Sequence, residues 1–202
     1  MYISDRANDS LGEEIIAKEM DKLYADSGFY IRRIDDRFEQ IHGIDLVLID
    51  QNKEELCIDE KAAIKYLTRD LSTYSFEVRY KNRLGWFVKS NMINDYYALI
   101  YPRSKTNDIY NLSSLECIII SKEAIHNIIG YNNKELLEIT KQENVEKWKI
   151  FQSYNRRKRY LYLENGVKIV YSEDILPEQP INVIVPKDKL LENCKYRLYK
   201  EY

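Results

Sequence analysis

Residues 43–63 read GIDLVLIDQNKEELCIDEKAA. Two apolar runs, IDLVLI at 44–49 and LCIDEK at 56–61, flank the polar DQNKEE, so the stretch predicts a β-hairpin. Asp59, Glu60 and Lys61 stand where the second strand should be entering a core. Side chains alternate across a strand. Asp59 and Lys61 therefore share one face and Glu60 takes the other. In the first strand Asp45, Val47 and Ile49 share a face, and pairing of the two strands brings Asp45 near Asp59 and Lys61.

The flanking sequence supplies the rest of a mixed fold. Residues 10–26 predict a helix, with Ser10 and Glu13 in a capping-box spacing and Ile16, Met20 and Leu23 as its apolar stripe. Ser27-Gly28 stops it, and FYIRRI follows as a strand. SFEVRY and GWFVKS around KNRL read as a second hairpin, and YYALIYP and LECIII as further strands. KEAIHNII, behind Ser121, and NKELLEITKQ read as short helices. YLYLENGVKIVYS is a third hairpin turning at Asn165-Gly166, INVIVP a strand and KDKLLENC a closing helix. The fold class is α/β in the α+β sense, a mixed, hairpin-rich central sheet flanked by helices. One domain over 1–202 is expected, with a core at about 10–130 and an accessory tail at about 131–202.

Two carboxylates on neighbouring strands are hard oxygen ligands, suited to Mg²⁺, which keeps several waters and takes one or two carboxylates plus a substrate phosphate. Lys61 would add positive charge beside an attacked phosphate or orient the water. Residue type and strand context thus point to phosphodiester hydrolysis. Asp45 followed by Asp59-Glu60-Lys61 after a short hairpin resembles the PD-(D/E)xK nuclease superfamily, with the restriction-endonuclease-like fold, over roughly residues 10–120. The resemblance implies metal binding by Asp45 and Asp59, catalysis by Lys61, Mg²⁺ as cofactor and Mn²⁺ as substitute. It also implies a glutamate on the first helix, for which Glu13 is the better fit and Glu19 the second. Glu60 would replace Asp59 if a bulge shifted the strand. The family's core is a helix, three antiparallel strands, a helix and a further strand. Two departures stand out: GID replaces PD, and the second helix has no clear place.

With 31 basic and 33 acidic residues the net charge is −2, which argues against a wholly basic coat protein but leaves room for a local basic face. The densest one is YNRRKRY, with Arg156, Arg157, Lys158 and Arg159; backbone phosphates are its natural partner, and a solvated strand edge is the plainer reading. Lys65 and Arg69 could touch the same backbone or simply face solvent. Glu77 in SFEVRY shares a face with Arg79 and is an alternate site residue or one half of a cross-strand ion pair. No Walker or dinucleotide loop occurs, and three scattered cysteines fit neither a zinc site nor a disulfide framework, so a cytoplasmic location is expected. The polar start and the lack of a long apolar run argue against a leader and a membrane span. The expected partner is DNA, and a homodimer suits a double-strand cutter because two sites would address two strands. A cleavage-dead nuclease fold that binds nucleic acid or protein, and an α/β interaction module without a metal, are the alternatives.

Overall fold

Asp50 sets the register of the hairpin. Its carboxylate accepts the backbone N–H groups of Asn52 (2.8 Å) and Glu54 (2.9 Å), while Lys53 takes a positive φ, so the polar run turns tightly. The computed structural model describes residues 5–81, 83–153, 156–172 and 179–202, without the side chains of 5–10, 152, 153 and 156. In chain order, α1 (Asp5–Asp26), β1 (Tyr30–Arg33), α2 (Arg37–Ile41), β2 (Leu46–Ile49) and β3 (Glu55–Ala62) are followed by a 3-10 turn at Ile64–Tyr66. Then come β4 (Thr73–Tyr80), β5 (Arg83–Leu84), a 3-10 turn at Trp86–Val88, β6 (Tyr96–Ser104) and β7 (Leu112–Ser121). The chain continues through α3 (Lys122–Ile129), α4 (Asn133–Ile139), α5 (Gln142–Val145), β8 (Lys149–Ser153) and β9 (Arg156–Tyr162). It ends with β10 (Lys168–Ser172), β11 (Pro180–Pro186), α6 (Lys187–Asn193) and β12 (Tyr196–Glu201). The fold is mixed α+β, as the sequence predicts.

The chain divides into two compact units. The first takes the residues up to Leu71, Met92–Lys122 and Asn193–Tyr202. Its sheet runs β1-β2-β3-β6-β7-β12, antiparallel throughout except for the parallel pair β3–β6. The stripe Ile16, Met20, Leu23 and Tyr24 of α1 packs on one face of that sheet, against Leu46, Leu48, Leu56, Ile58, Ala98, Ile100, Cys117 and Ile119. These side chains alternate along their strands, so the odd-numbered residues of β3 face away from α1.

The second unit takes Ser72–Asn91 and Glu123–Glu192. Its antiparallel sheet runs β5-β4-β11-β10-β9-β8. On one face Phe76, Ile169, Val183 and Val185 are fully buried. Asn165 and Gly166 both take positive φ, which a two-residue hairpin turn requires.

Three expectations are corrected. Ser10 lies inside α1, which starts at Asp5, so the Ser10–Glu13 spacing does not open the helix. GWFVKS is not a strand: the pairing with β4 ends at Arg83–Leu84, Gly85 passes so close to the Glu77 carbonyl that a Cβ would not fit, and Trp86–Val88 turns in, setting the Phe87 ring 5.0 Å from that of Phe76 at 52°. KDKLLENC does not close the fold, since β12 follows and pairs with β7.

Candidate functional site

The register of β2 and β3 sets Leu46 opposite Ile58 as its last pair, and Asp45, one residue before β2, lies close enough to Asp59 for its charge to act on it. The ladder is already opening there. The Asp45 N–H still donates to the Ile58 carbonyl (2.9 Å), but the Glu60 N–H is taken by the Asp45 carboxylate (2.8 Å). Asp45 is thereby held against β3 by its own side chain. Asp59 is 1% exposed, and Lys61, two residues on and on the same face, donates to its Oδ1. Oδ2 of Asp59 is buried without a hydrogen-bond partner among the described residues. Burial pushes the Asp59 carboxyl up to about 7, with Lys61 pulling it down and Asp45 pushing it further up.

Two neighbours complete this face. Tyr97 of β6 stands opposite Asp59, and burial, then the Asp59 charge, push its hydroxyl up. Lys122, just past β7, donates to the Met92 carbonyl (3.1 Å) with its ammonium 5.9 Å from the centre of the Tyr97 ring. Burial pulls that ammonium down while the charges of Asp59 and Asp95 hold it up. The sequence reading missed both residues. The signal was present in the β6–β7 pairing, which sets Ile120 opposite Tyr97 and so delivers residue 122 to the same face.

Glu60 points to the other side. It accepts from the Tyr24 hydroxyl (2.9 Å) and from Arg33, whose guanidinium also reaches Asp21 (2.6 Å) and the Ala17 carbonyl (3.1 Å). Burial pushes its carboxyl up and Arg33 opposes that. Because α1 packs on the Glu60 face, its glutamates are not brought to Asp45 and Asp59. Glu13 is exposed, and Glu19 pairs with Lys22 and accepts from the Tyr202 hydroxyl (2.7 Å). Glu77 lies on β4 of the second unit. Lys65 and Arg69 are exposed beyond β3, with Arg69 over the Tyr66 ring. The side chain of Arg156 lies outside the described residues. Arg157 and Arg159 take the face of β9 that carries buried Ile169 and Val183, and Arg159, 8% exposed, donates to the Glu146 carbonyl (2.7 Å). It is a structural cation; Lys158 alone of those three turns to the open face.

Searches against protein-family models, curated proteins and solved structures found no match for the chain. The residues themselves must decide what the site can hold. Among the described residues no three His, Cys, Asp or Glu side chains form a metal-binding group. Two adjacent carboxylates, one with an oxygen that no donor reaches among the described residues, fit a hard divalent cation that keeps most of its waters and shares a phosphate, and do not fit a full protein cage.

Proposed function

We propose that the first unit is a PD-(D/E)xK-type nuclease that hydrolyses phosphodiester bonds in DNA. The observation that carries this is the closeness of Asp45 to Asp59 just past the end of the β2–β3 ladder, with Lys61 on the same face and Asp59 Oδ2 buried without a hydrogen-bond donor among the described residues. The order of elements supports it too: α1, an antiparallel run β1–β3, then β6 parallel to β3. Where that family's core has a helix, this chain runs through residues 72–91 of its second unit.

Asp45 and Asp59 would hold Mg²⁺, with Mn²⁺ as substitute; when bound, the ion would supply positive charge to a phosphoryl oxygen and acidity to a water. Lys61 stands beside that carboxylate and would donate to a non-bridging oxygen as charge builds there. Lys122, the second cation of the face, would neutralise the same charge from the other side. DNA is the proposed partner, with Lys65 and Arg69 as backbone contacts near the site, and a homodimer is the proposed state for cutting both strands. We place the protein in the cytoplasm; among the described residues no helix is long and apolar enough to cross a membrane.

The test is incubation of wild type, Asp59→Ala and Lys61→Ala with duplex, branched and single-stranded DNA in Mg²⁺ or Mn²⁺. Wild type should cut at least one form, and each variant should lose about 100-fold or more in rate. Equal cutting by all three proteins would reject the proposal. A second reading, a nuclease fold that binds without cutting, draws on the burial of Asp59 and its ion pair with Lys61, both of which a cation must overcome. Metal-independent binding with no cutting of any form would favour it.

A further inference from the structure

The open face of the second unit's sheet carries a pattern that the cleavage chemistry does not use. The register places Lys149 opposite Tyr160, Phe151 opposite Lys158, and Tyr162 opposite Lys168, all on one face of β8, β9 and β10. On the opposite face Ile169 and Val183 are fully buried. Tyr162 is 64% exposed and Phe151 58%. The Tyr160 and Tyr162 rings lie 6.0 Å apart and within 17° of parallel, and Phe151 meets Tyr160 edge-on at 6.3 Å. The Lys168 ammonium stands 6.0 Å from the centre of the Tyr160 ring. Across these three strands the described side chains of this face include no carboxylate. Among the described residues Glu77 is the nearest acid in strand register on that side, two strands further on, opposite Asn182 of β11.

From this arrangement we propose that the sheet face of β8–β10 binds single-stranded nucleic acid, stacking unpaired bases on Tyr162, Tyr160 and Phe151 while Lys149, Lys158 and Lys168 meet the phosphates. Aromatic rings exposed on a sheet face, as those of Tyr162 and Phe151 are, are of little use to a duplex, whose bases are already stacked, and are well used by bases that are not. Lysines interleaved with rings, with no carboxylate beside them among the described residues of the three strands, suit a chain that carries one phosphate per nucleotide. An acidic protein surface would use the lysines and leave the rings exposed. The inference goes beyond the cleavage reading and rests on different residues in the other unit.

The experiment is fluorescence anisotropy with the whole chain in EDTA, where cutting is suppressed, using labelled dT and rU strands of about 20 nucleotides, long enough to span one such groove, and a matching duplex. Tighter binding of a single strand than of the duplex is expected, weakened about tenfold by Tyr162→Ala and again by Phe151→Ala. Lys168→Gln should reduce the log–log salt slope by about 0.7, one phosphate contact on a single strand. Both aromatic variants alter exposed rings, and their circular dichroism should match wild type. Equal affinity for strand and duplex, no effect of Tyr162→Ala, or competition by polyglutamate as effective as by unlabelled strand would overturn the proposal. Loss of strand binding would leave the Lys61 cleavage test untouched, and absence of cutting would leave this one untouched.

Discussion

Asp59 is where the site costs the fold something. Its carboxylate lies beside Asp45 just past the end of the ladder, with Lys61 on one oxygen, Tyr97 on the next strand and Lys122 within reach of its field. The folded chain holds its proton up to about pH 7, whereas the ordinary value is 3.8. Between those values the folded state binds more protons than the unfolded one, so stability falls as pH rises. Below 3.8 both states hold the proton and the cost vanishes; above 7 neither does, and the cost reaches about 4 kcal/mol at ~1.4 kcal/mol per pKa step. Removing the charge also forfeits the ion pair with Lys61. Asp59→Asn should therefore gain roughly 1–3 kcal/mol over wild type at pH 8 in chelator, and close to nothing near pH 3.5. Urea unfolding at the two pH values reads this, and a variant less stable than wild type at pH 8 would mean that the Lys61 pair outweighs burial. Mg²⁺ at pH 8 should raise the wild-type melting temperature and leave that of Asp59→Asn unmoved, because only the wild type gains a ligand that relieves the paired charges. The sequence made this residue legible because strand alternation needs only local information. It did not reveal Lys122, which reaches the face only through the pairing of Tyr97 with Ile120, far along the chain from Asp59.

At the scale of elements, β3 is a strand with two chemistries. One face offers Asp59 and Lys61 to the site; the other sinks Glu60 among the apolar residues under α1. What makes that tolerable is Arg33 of β1, which ties Glu60, Asp21 and the Ala17 carbonyl together, with the Tyr24 hydroxyl on the remaining Glu60 oxygen. Arg33→Ala leaves a buried carboxylate with a single hydroxyl donor and should cost about 3 kcal/mol, seen as a lower urea midpoint. The double change Arg33→Leu with Glu60→Leu should recover most of that loss, since a buried ion pair and well-packed apolar side chains are of similar worth. A double variant as unstable as the single one would assign the loss to packing around Arg33 and not to the stranded charge. The alternation of β3 told the direction of Glu60 but not its partners, which lie 27 and 36 residues away. Periodicity misled at GWFVKS for a related reason. An apolar run of that length fits a strand or a turn against aromatic neighbours, and the tilted Phe87–Phe76 contact decides it, a contact no local pattern announces.

At the scale of the whole molecule, the two units interleave along the chain. Their crossings at 71/72, 91/92, 122/123 and 192/193 carry no glycine, proline or low-complexity linker. Composition therefore gave no sign of them, while each sheet on its own was largely visible as strands. The return of the last ten residues to the first unit is the least legible step, because YRLYKE follows a helix and alternates only weakly. It nevertheless covers the β7 edge. Leu198 is buried opposite Cys117, the Tyr196 hydroxyl donates to Asp50 (2.7 Å) at the hairpin turn, and Tyr202 reaches Glu19 on α1. Ending the chain at Asn193 removes all three ties and bares an apolar edge, but touches no strand of the second sheet. Hydrogen exchange should then show β6 and β7 amides losing at least about tenfold in protection, roughly 1.4 kcal/mol of local stability, while β10 and β11 keep theirs. Equal loss in both sheets would mean that the two units open together, and the site on β3 would then depend on the whole chain and not on the first unit alone.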